Sequence, residues 1–458
     1  MTNLDNFLIF ENATIRDSLF KINLNQNGVI IVCNLNRIVI GLATDGDIRE
    51  ALLTGKTIDD QISSIINRNF IWADTTTSKE FLLKKLDNKI KLIPILDNEK
   101  KLIDIVSFNY FPKQAEEAIY VRAKSPVRIS FGGGGSDLTH YFINDPGAVI
   151  NATINIYAHA LLKMRNDDKI NITSSDLNQT IESDNLESFL KTDSDFGLIQ
   201  ATIKAIQPQY GFDLQLYADF PMKSGLGGSA VVSATVLGCF NELRKDKFDS
   251  YELAELAYQA ERIYLGVSGG WQDQYATIFG GMNFMEFKYD KNNVYPLRIP
   301  KDIINELEAN LILCYTGKSH DSGEVHDNQK QNLNNIGVKD LVKNNVALTY
   351  DIRDQLLRGK LNEFGNSLHL AWEFKKKFGE KISSPEFDAL YTFARNNGAI
   401  GGKLLGAGGG GYFLFYCNPF MRQNLVKSLI QRGNEVRNFK FDEEGLRTWI
   451  IRDTNKII

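Results

Sequence analysis

The part of this chain whose residue types are best placed to do chemistry is the run Pro221-Met222-Lys223-Ser224-Gly225-Leu226-Gly227-Gly228-Ser229-Ala230. Glycines let backbone N–H groups approach an anion with no Cβ in the way. The helix expected to begin near Ser229 would aim its positive end at the same place, so Lys223 to Ala230 read as a cradle for phosphates. The Ser229 hydroxyl could add a ligand to a bound magnesium. A glycine turn with no ligand is the bland alternative.

A phosphate cradle does chemistry when an acceptor hydroxyl is aimed in line with the phosphoryl group and the charge is spread. A carboxylate near that hydroxyl can take its proton. Asp273 is the best candidate, in the glycine-interrupted segment Gly266-Val267-Ser268-Gly269-Gly270-Trp271-Gln272-Asp273-Gln274. There the chain leaves a helix expected around Tyr251 to Tyr264, whose start is signalled by Asp249 with Glu252 three residues later. Glu261 lies on that helix, either as a site carboxylate or as a solvated one.

Two nearby motif matches point elsewhere and fail. Gly225-x-Gly227-x-x-Ala230 fits a dinucleotide fingerprint, but Pro221 to Ser224 separate it from its strand and the candidate acid Asp246 sits in a polar loop. Gly317-Lys318-Ser319 resembles the end of a P-loop, yet Ile312 occupies the place of its first glycine.

Two further glycine clusters lie far away: Arg128-Ile129-Ser130-Phe131-Gly132-Gly133-Gly134-Gly135-Ser136-Asp137, and Gly401-Gly402-Lys403-Leu404-Leu405-Gly406-Ala407-Gly408-Gly409-Gly410-Gly411. Apolar, strand-like flanks make them ordered turns rather than tethers. Three such turns imply one converging site.

In this order the three segments resemble the motifs of the GHMP small-molecule kinases, over about residues 120–458. Within that superfamily, the first cluster, Gly270-Trp271-Gln272-Asp273-Gln274-Tyr275 and Lys403-Leu404-Leu405-Gly406-Ala407-Gly408 are most similar to the D-glycero-D-manno-heptose 7-phosphate kinases. The resemblance implies an ATP- and magnesium-dependent kinase acting on an anomeric hydroxyl, with Asp273 as base and Ser229 and Glu261 on magnesium. Arg128 would occupy the place of a lysine or arginine beside the catalytic aspartate, favouring its charged form and polarising the hydroxyl. Asp137 matches a position that grips sugar hydroxyls; as a helix N-cap it would have a structural role instead, and both can hold. His140, Gly134, Gly135, Ser136, Gly408 and Gly409 are further expected substrate contacts.

One departure bears on substrate. Heptose kinases carry an arginine shortly after a Thr-Gly turn, where this chain has Lys318, Ser319, His320 and Asp321. If that arginine reads the 7-phosphate, Lys318 or His320 must replace it, or the sugar differs; Lys403 is another candidate for an anionic group. A kinase for a fucose-like or mannose-like sugar, or a nucleotide sensor without turnover, stays open.

The elements that position these residues follow an α+β pattern, with a strand from Phe212 to Phe220 and helices Ala230 to Leu243, Pro385 to Asn396 and within Val338 to Phe378. By resemblance the kinase is two lobes, residues 120–300 (ribosomal-protein-S5-like) and 301–458 (ferredoxin-like). Residues 1–112 form a separate unit with a weak internal repeat at an offset of 63, Gly41 against Asp104 and Val29 to Val32 against Leu92 to Ile95. That unit is similar to a tandem CBS pair. The first half keeps Thr44-Asp45-Gly46-Asp47, where Thr44 and Asp47 would meet an adenine nucleotide; the second has Ser107-Phe108-Asn109 there and no aspartate. Nucleotide sensing and mere packing are both open readings, and face-to-face pairing leaves a homodimer open.

Whole-chain properties agree. A length of 458 residues suits two or three domains, and 43% apolar residues suffice for their cores. A net charge of −4 gives no footprint for nucleic acid. Cys33, Cys239, Cys314 and Cys417 have no metal spacing and sit in apolar stretches, as reduced buried thiols would. With no signal peptide or long apolar run, a cytoplasmic protein free of membrane is expected.

Overall fold

The computed structural model describes residues 4–451 except 88, 108–109, 111–119, 222–223, 320–322, 324, 326, 328–331 and 333–335. The chain forms two compact units, one up to residue 118 and one from 119 to 451.

In the first unit, strand Val29–Cys33 pairs parallel with Leu8–Phe10 and antiparallel with Val39–Thr44. The second half repeats this: Leu92–Leu96 pairs antiparallel with Leu102–Ser107, and Ala73 bridges Ile95 in parallel. Registers correspond at the offset of 63, Val29 opposite Thr44 and Leu92 opposite Ser107, with bulges after Val32 and Ile95. The turns correspond too, since Asn34 and Asp97 side chains each accept two turn N–H groups and both Arg37 and Lys100 have φ of 63°. Val29–Cys33 and Leu92–Leu96 are buried at every residue, which explains their unbroken apolar runs.

The second unit is built on an eight-stranded sheet whose spine is Tyr120–Gly132 against Gly147–Met164. The latter strand is buried at every residue from Gly147 to Ile154 and alternates beyond, so it passes from a two-sided to a one-sided cover. Phe212–Ala218 and Met282–Lys288 flank it, and Arg447–Ile451 closes onto Tyr120–Gly132. Residues from beyond position 301 thus complete the first sheet. A second, antiparallel sheet orders Ala399–Leu404, Tyr412–Cys417, Leu311–Tyr315 and Val436–Arg437.

Helix Gly228–Glu242 is apolar nearly all round and buried from Ala230 to Asn241 save Val232, lying on both spine strands. The expected helix from Tyr251 is present as Ser250–Gln259, started by the Asp249–Glu252 capping box. It then widens into a π turn, Ala260–Tyr264. The stretch Val338 to Phe378 divides into Ile336–Leu357 and Leu361–Lys375 with a short 3-10 turn. All four cysteines are buried and free, and no described helix is long and apolar enough to cross a membrane.

Candidate active site

The three glycine turns meet. Gly134 and Gly135, the Ser224–Ser229 loop, and Gly406 with Ala407 line one cavity of about 350 Å3. Gly406 has φ of 66°, and a Cβ there would stand 2.7 Å from the Gly225 Cα, so the third turn forms a floor under the second. Gly227 has φ of 80° and precedes helix Gly228–Glu242; a Cβ on it would lie 3.1 Å from Asp273 Oδ2. The loop can approach the carboxylate only because Gly227 has no side chain.

Arg128 ties these parts together. Its Nε and Nη2 donate to Asp273 Oδ1 and Oδ2, both at 2.8 Å, and its Nη1 donates to the Gly225 carbonyl at 2.8 Å. A rigid guanidinium fork therefore sets the carboxylate and the loop in one geometry. Arg128 is only 4% exposed, while the Asp273 side chain, in the first turn of helix Gln272–Phe279, is 30% exposed and reaches the cavity. Just before it, Trp271 stacks on Tyr258 at 3.6 Å and donates through Nε1 to Thr139 Oγ1 at 2.9 Å.

Glu261 sits on the π turn, a geometry found often at functional sites. It is 2% exposed, hydrogen-bonds the Ser229 hydroxyl, and accepts from Gln274 Nε2. Burial pushes its pKa above the usual carboxylate value, with Asp273 adding to the rise against Arg262 and the hydrogen-bond donors. Asp137 is also buried, and burial followed by the charge of Asp273 raises its pKa too. Its carboxylate accepts from the Gly135 N–H at 3.1 Å and from the Gln272 N–H at 3.2 Å. Asp137 thus caps a helix 135 residues downstream; the short helix after it, Thr139–Phe142, is preceded by Leu138.

Lys403 lines the cavity, joined by Lys375, which sequence reasoning passed over. The cavity lining also includes Leu198, Ile199 and a His159–Tyr217 stack at 4.4 Å. Aromatic and apolar residues in the same cavity as a glycine loop suit a planar base with its phosphates.

Other expected substrate contacts lie elsewhere. The Ser136 hydroxyl is spent on the carbonyls of Gly133 and Ala148, at 2.7 and 3.0 Å, and so holds the turn rather than a ligand. His140 lines a second cavity of about 330 Å3 with Thr139 and Tyr258. Lys318 is exposed and ion-paired with Glu386, away from the cavity lining. Gly408 and Gly409 pack on Ile382, with the Gly409 N–H donating to its carbonyl at 2.9 Å. Leu226 and Ala230 are core residues. Lys223 and His320 lie outside the described residues.

The family described as the GHMP kinases N terminal domain matches residues 197–281, and the GHMP kinases C terminal family matches 352–433. A D-glycero-alpha-D-manno-heptose 7-phosphate kinase of Campylobacter jejuni is 35% identical over 340 residues, covering 72% of this chain and 99% of that protein. The chain is a GHMP kinase. The kinase is also similar to a crystal structure described as a D-glycero-D-manno-heptose 1-phosphate kinase from Bacteroides thetaiotaomicron, with TM-score 0.61, 31% identity, and coverage of 73% of this chain and all of that one. An L-fucokinase/L-fucose-1-P guanylyltransferase of Bacteroides fragilis is 26% identical over 349 residues, 69% of this chain and 37% of that larger protein. The kinase is thus a sugar phosphotransferase using ATP, and both family matches fall in its second unit.

Proposed function

We propose that the kinase transfers the γ-phosphoryl group of ATP to the anomeric hydroxyl of D-glycero-D-manno-heptose 7-phosphate, on the way to a nucleotide-activated heptose. The observation that carries this is the 35% identity along nearly the whole Campylobacter jejuni relative. The cavity supports it, since Asp137, two buried lysines and the glycine loop all line it.

In this reading the Ser224–Ser229 amides hold the triphosphate at the helix N-terminus. Asp273 accepts the proton of the anomeric hydroxyl, whose oxygen forms the new bond to the γ-phosphorus as the bond to the β–γ bridging oxygen breaks and ADP leaves. Arg128 aims the carboxylate, and Asp137 orients the sugar. Ser229 and Glu261 supply hard oxygen donors, one a carboxylate, which suits magnesium completed by nucleotide phosphates. No group of three or more His, Cys, Asp or Glu among the described residues could hold a metal alone, so binding there would depend on the nucleotide. Magnesium would spread the charge of the transferring group.

The test is ADP release with ATP and magnesium across heptose 7-phosphate, hexose phosphates and free sugars. Selectivity for heptose 7-phosphate supports the assignment; activity confined to another sugar replaces the substrate. A fucose-like or mannose-like acceptor is favoured by the fucokinase similarity and by the surface position of Lys318.

For the first unit we propose a CBS-type pair that binds an adenine nucleotide at Thr44 and Asp47, supported by the two half-units in matching register. AMP titrated into the full chain should give heat that Thr44→Ala removes; equal heat from both proteins would place AMP elsewhere.

A further inference from the structure

Two lysines in the cavity have no acid group paired directly with them. Lys375 ends helix Leu361–Lys375 and Lys403 lies in strand Ala399–Leu404, with exposures of 6% and 3%. Both face the cavity. Lys375 Nζ donates to the carbonyls of Leu404, at 3.1 Å, and Gly406. The backbone of Lys403 is paired in the sheet opposite Leu414, while its ammonium has no hydrogen bond or ion pair with a described residue and lines the cavity. The carboxylates that act on the pair are committed elsewhere: Asp273 to the fork of Arg128, Asp137 to the N–H groups of Gly135 and Gln272. Burying two ammonium groups together without an acid is costly, and a bound anion would remove that cost.

We propose that Lys375 and Lys403 form the receptor for the phosphate group that the sugar substrate already carries. The inference rests on the sugar-phosphate reading above and adds which groups recognise the phosphate. A phosphate monoester near neutral pH carries roughly −1.5 to −2 charges, which two ammonium groups match. Lysines present compact point charges that suit a tetrahedral group free to rotate. The nucleotide phosphates have a separate receptor in the Ser224–Ser229 amides. Lys318, the surface alternative, is already paired with Glu386.

The charge state adds a signature. Burial, then repulsion from Lys403 and Arg128, holds Lys375 well below the usual lysine value, with Asp137 and Asp273 opposing. Burial, then Arg128, brings Lys403 down to about 7, with Asp137 opposing. At pH 8 the empty cavity is therefore short of the Lys403 proton, and a phosphate dianion draws it in.

The experiment compares calorimetric affinities of the full chain for a sugar phosphate, the same sugar unphosphorylated, and ATP, in wild type, Lys375→Met and Lys403→Met. Heptose 7-phosphate is the first probe, replaced by whichever sugar phosphate supports turnover. Wild type should prefer the phosphorylated sugar by at least about a hundredfold, and each variant should lose about ten- to a hundredfold of that preference, the range for a charge-assisted hydrogen bond. Affinities for free sugar and ATP should stay within about threefold. A preference that survives in both variants, or a loss that falls on ATP instead, overturns the assignment. Absence of preference in wild type also overturns it, while ADP release still judges the kinase reading separately. If a variant does not unfold cooperatively, wild-type titrations at pH 8 in two buffers of different ionisation heat decide: uptake of about one proton supports the receptor, and none overturns it.

Discussion

Polar pairs of short and of long reach solve different problems, and although each unit holds both kinds, the pairs at the two proposed sites differ in reach. In the first unit Thr44 and Asp47 bond each other across three residues, at 2.7 Å between hydroxyl and carboxylate, and Thr14 and Asp17 repeat the device. These are helix starts, completed locally, so the nucleotide site proposed at Thr44 and Asp47 rests on the repeat and not on their pairing. In the second unit Arg128 reaches Asp273 across 145 residues and Gly225 across 97, and Asp137 reaches Gln272 across 135. Contacts of that span bring distant segments into one place, and here that place is a cavity. A short-range polar pair is therefore weak evidence of a site, whereas a buried long-range one is strong.

The largest test of that contrast is Asp273→Asn. Turnover should fall about 10³-fold, within the range for general-base loss, with ATP affinity nearly unchanged in equilibrium titration. Near-normal ADP release would remove Asp273 from proton transfer. Next, Arg128→Lys keeps a charge but loses the two-pronged grip, and kcat should drop about 10²-fold; a loss under threefold would show that the fork is unnecessary.

Gly227→Ala should cost about tenfold in kcat/KM for ATP, because a left-handed backbone carries a penalty of about 1–2 kcal/mol for L side chains and the new methyl crowds Asp273. Stability against pH sharpens the comparison at Lys403. Its pKa of about 7 in the folded chain lies below the ordinary lysine value, so between pH 7 and 10 the folded state binds fewer protons than the unfolded one. Stability from this group is present at high pH and lost as pH falls toward 7, by at most about 1.4 kcal/mol per pH unit. Lys403→Met should flatten that slope in denaturant melts at pH 7, 8 and 9. The smallest effect belongs to the local pairs: Thr14→Ala should cost about 1 kcal/mol in the unfolding of the first unit and leave turnover alone.

Much of the site could be read from residue types. The glycine turns converge, as their apolar flanks led one to expect, whereas the meetings of Arg128 with Asp273 and of Glu261 with Ser229 were expected only from the resemblance to the GHMP kinases. Lys375 left no signature in sequence. It opens Lys375-Lys376-Lys377, which reads as a solvated helix end, and only packing distinguishes the buried first lysine from Lys376 beside it. Ser136 erred the other way: a serine in a glycine turn looks available, and its use on the Ala148 carbonyl depends on a strand pairing that spacing does not reveal. The helix around Tyr251 was legible from its capping box, but its π turn was not, since the 5 residues Ala260–Tyr264 are too few for a change of period to show. The first unit's repeat showed because backbone turns demand matching residues at the same offset.

The close approach of Gly406 to Gly225 also bears on how the molecule is made. The ribosome delivers the phosphate loop well before the turn that supports it, and at about 5–20 residues per second the interval lasts roughly 10–35 s. During that time a nascent chain has the loop without its floor. On the proposed reading of the loop, nucleotide should protect the nearly finished chain and not its fragments. A chain truncated before residue 405 should gain no protease resistance from ATP, however well its first sheet has formed.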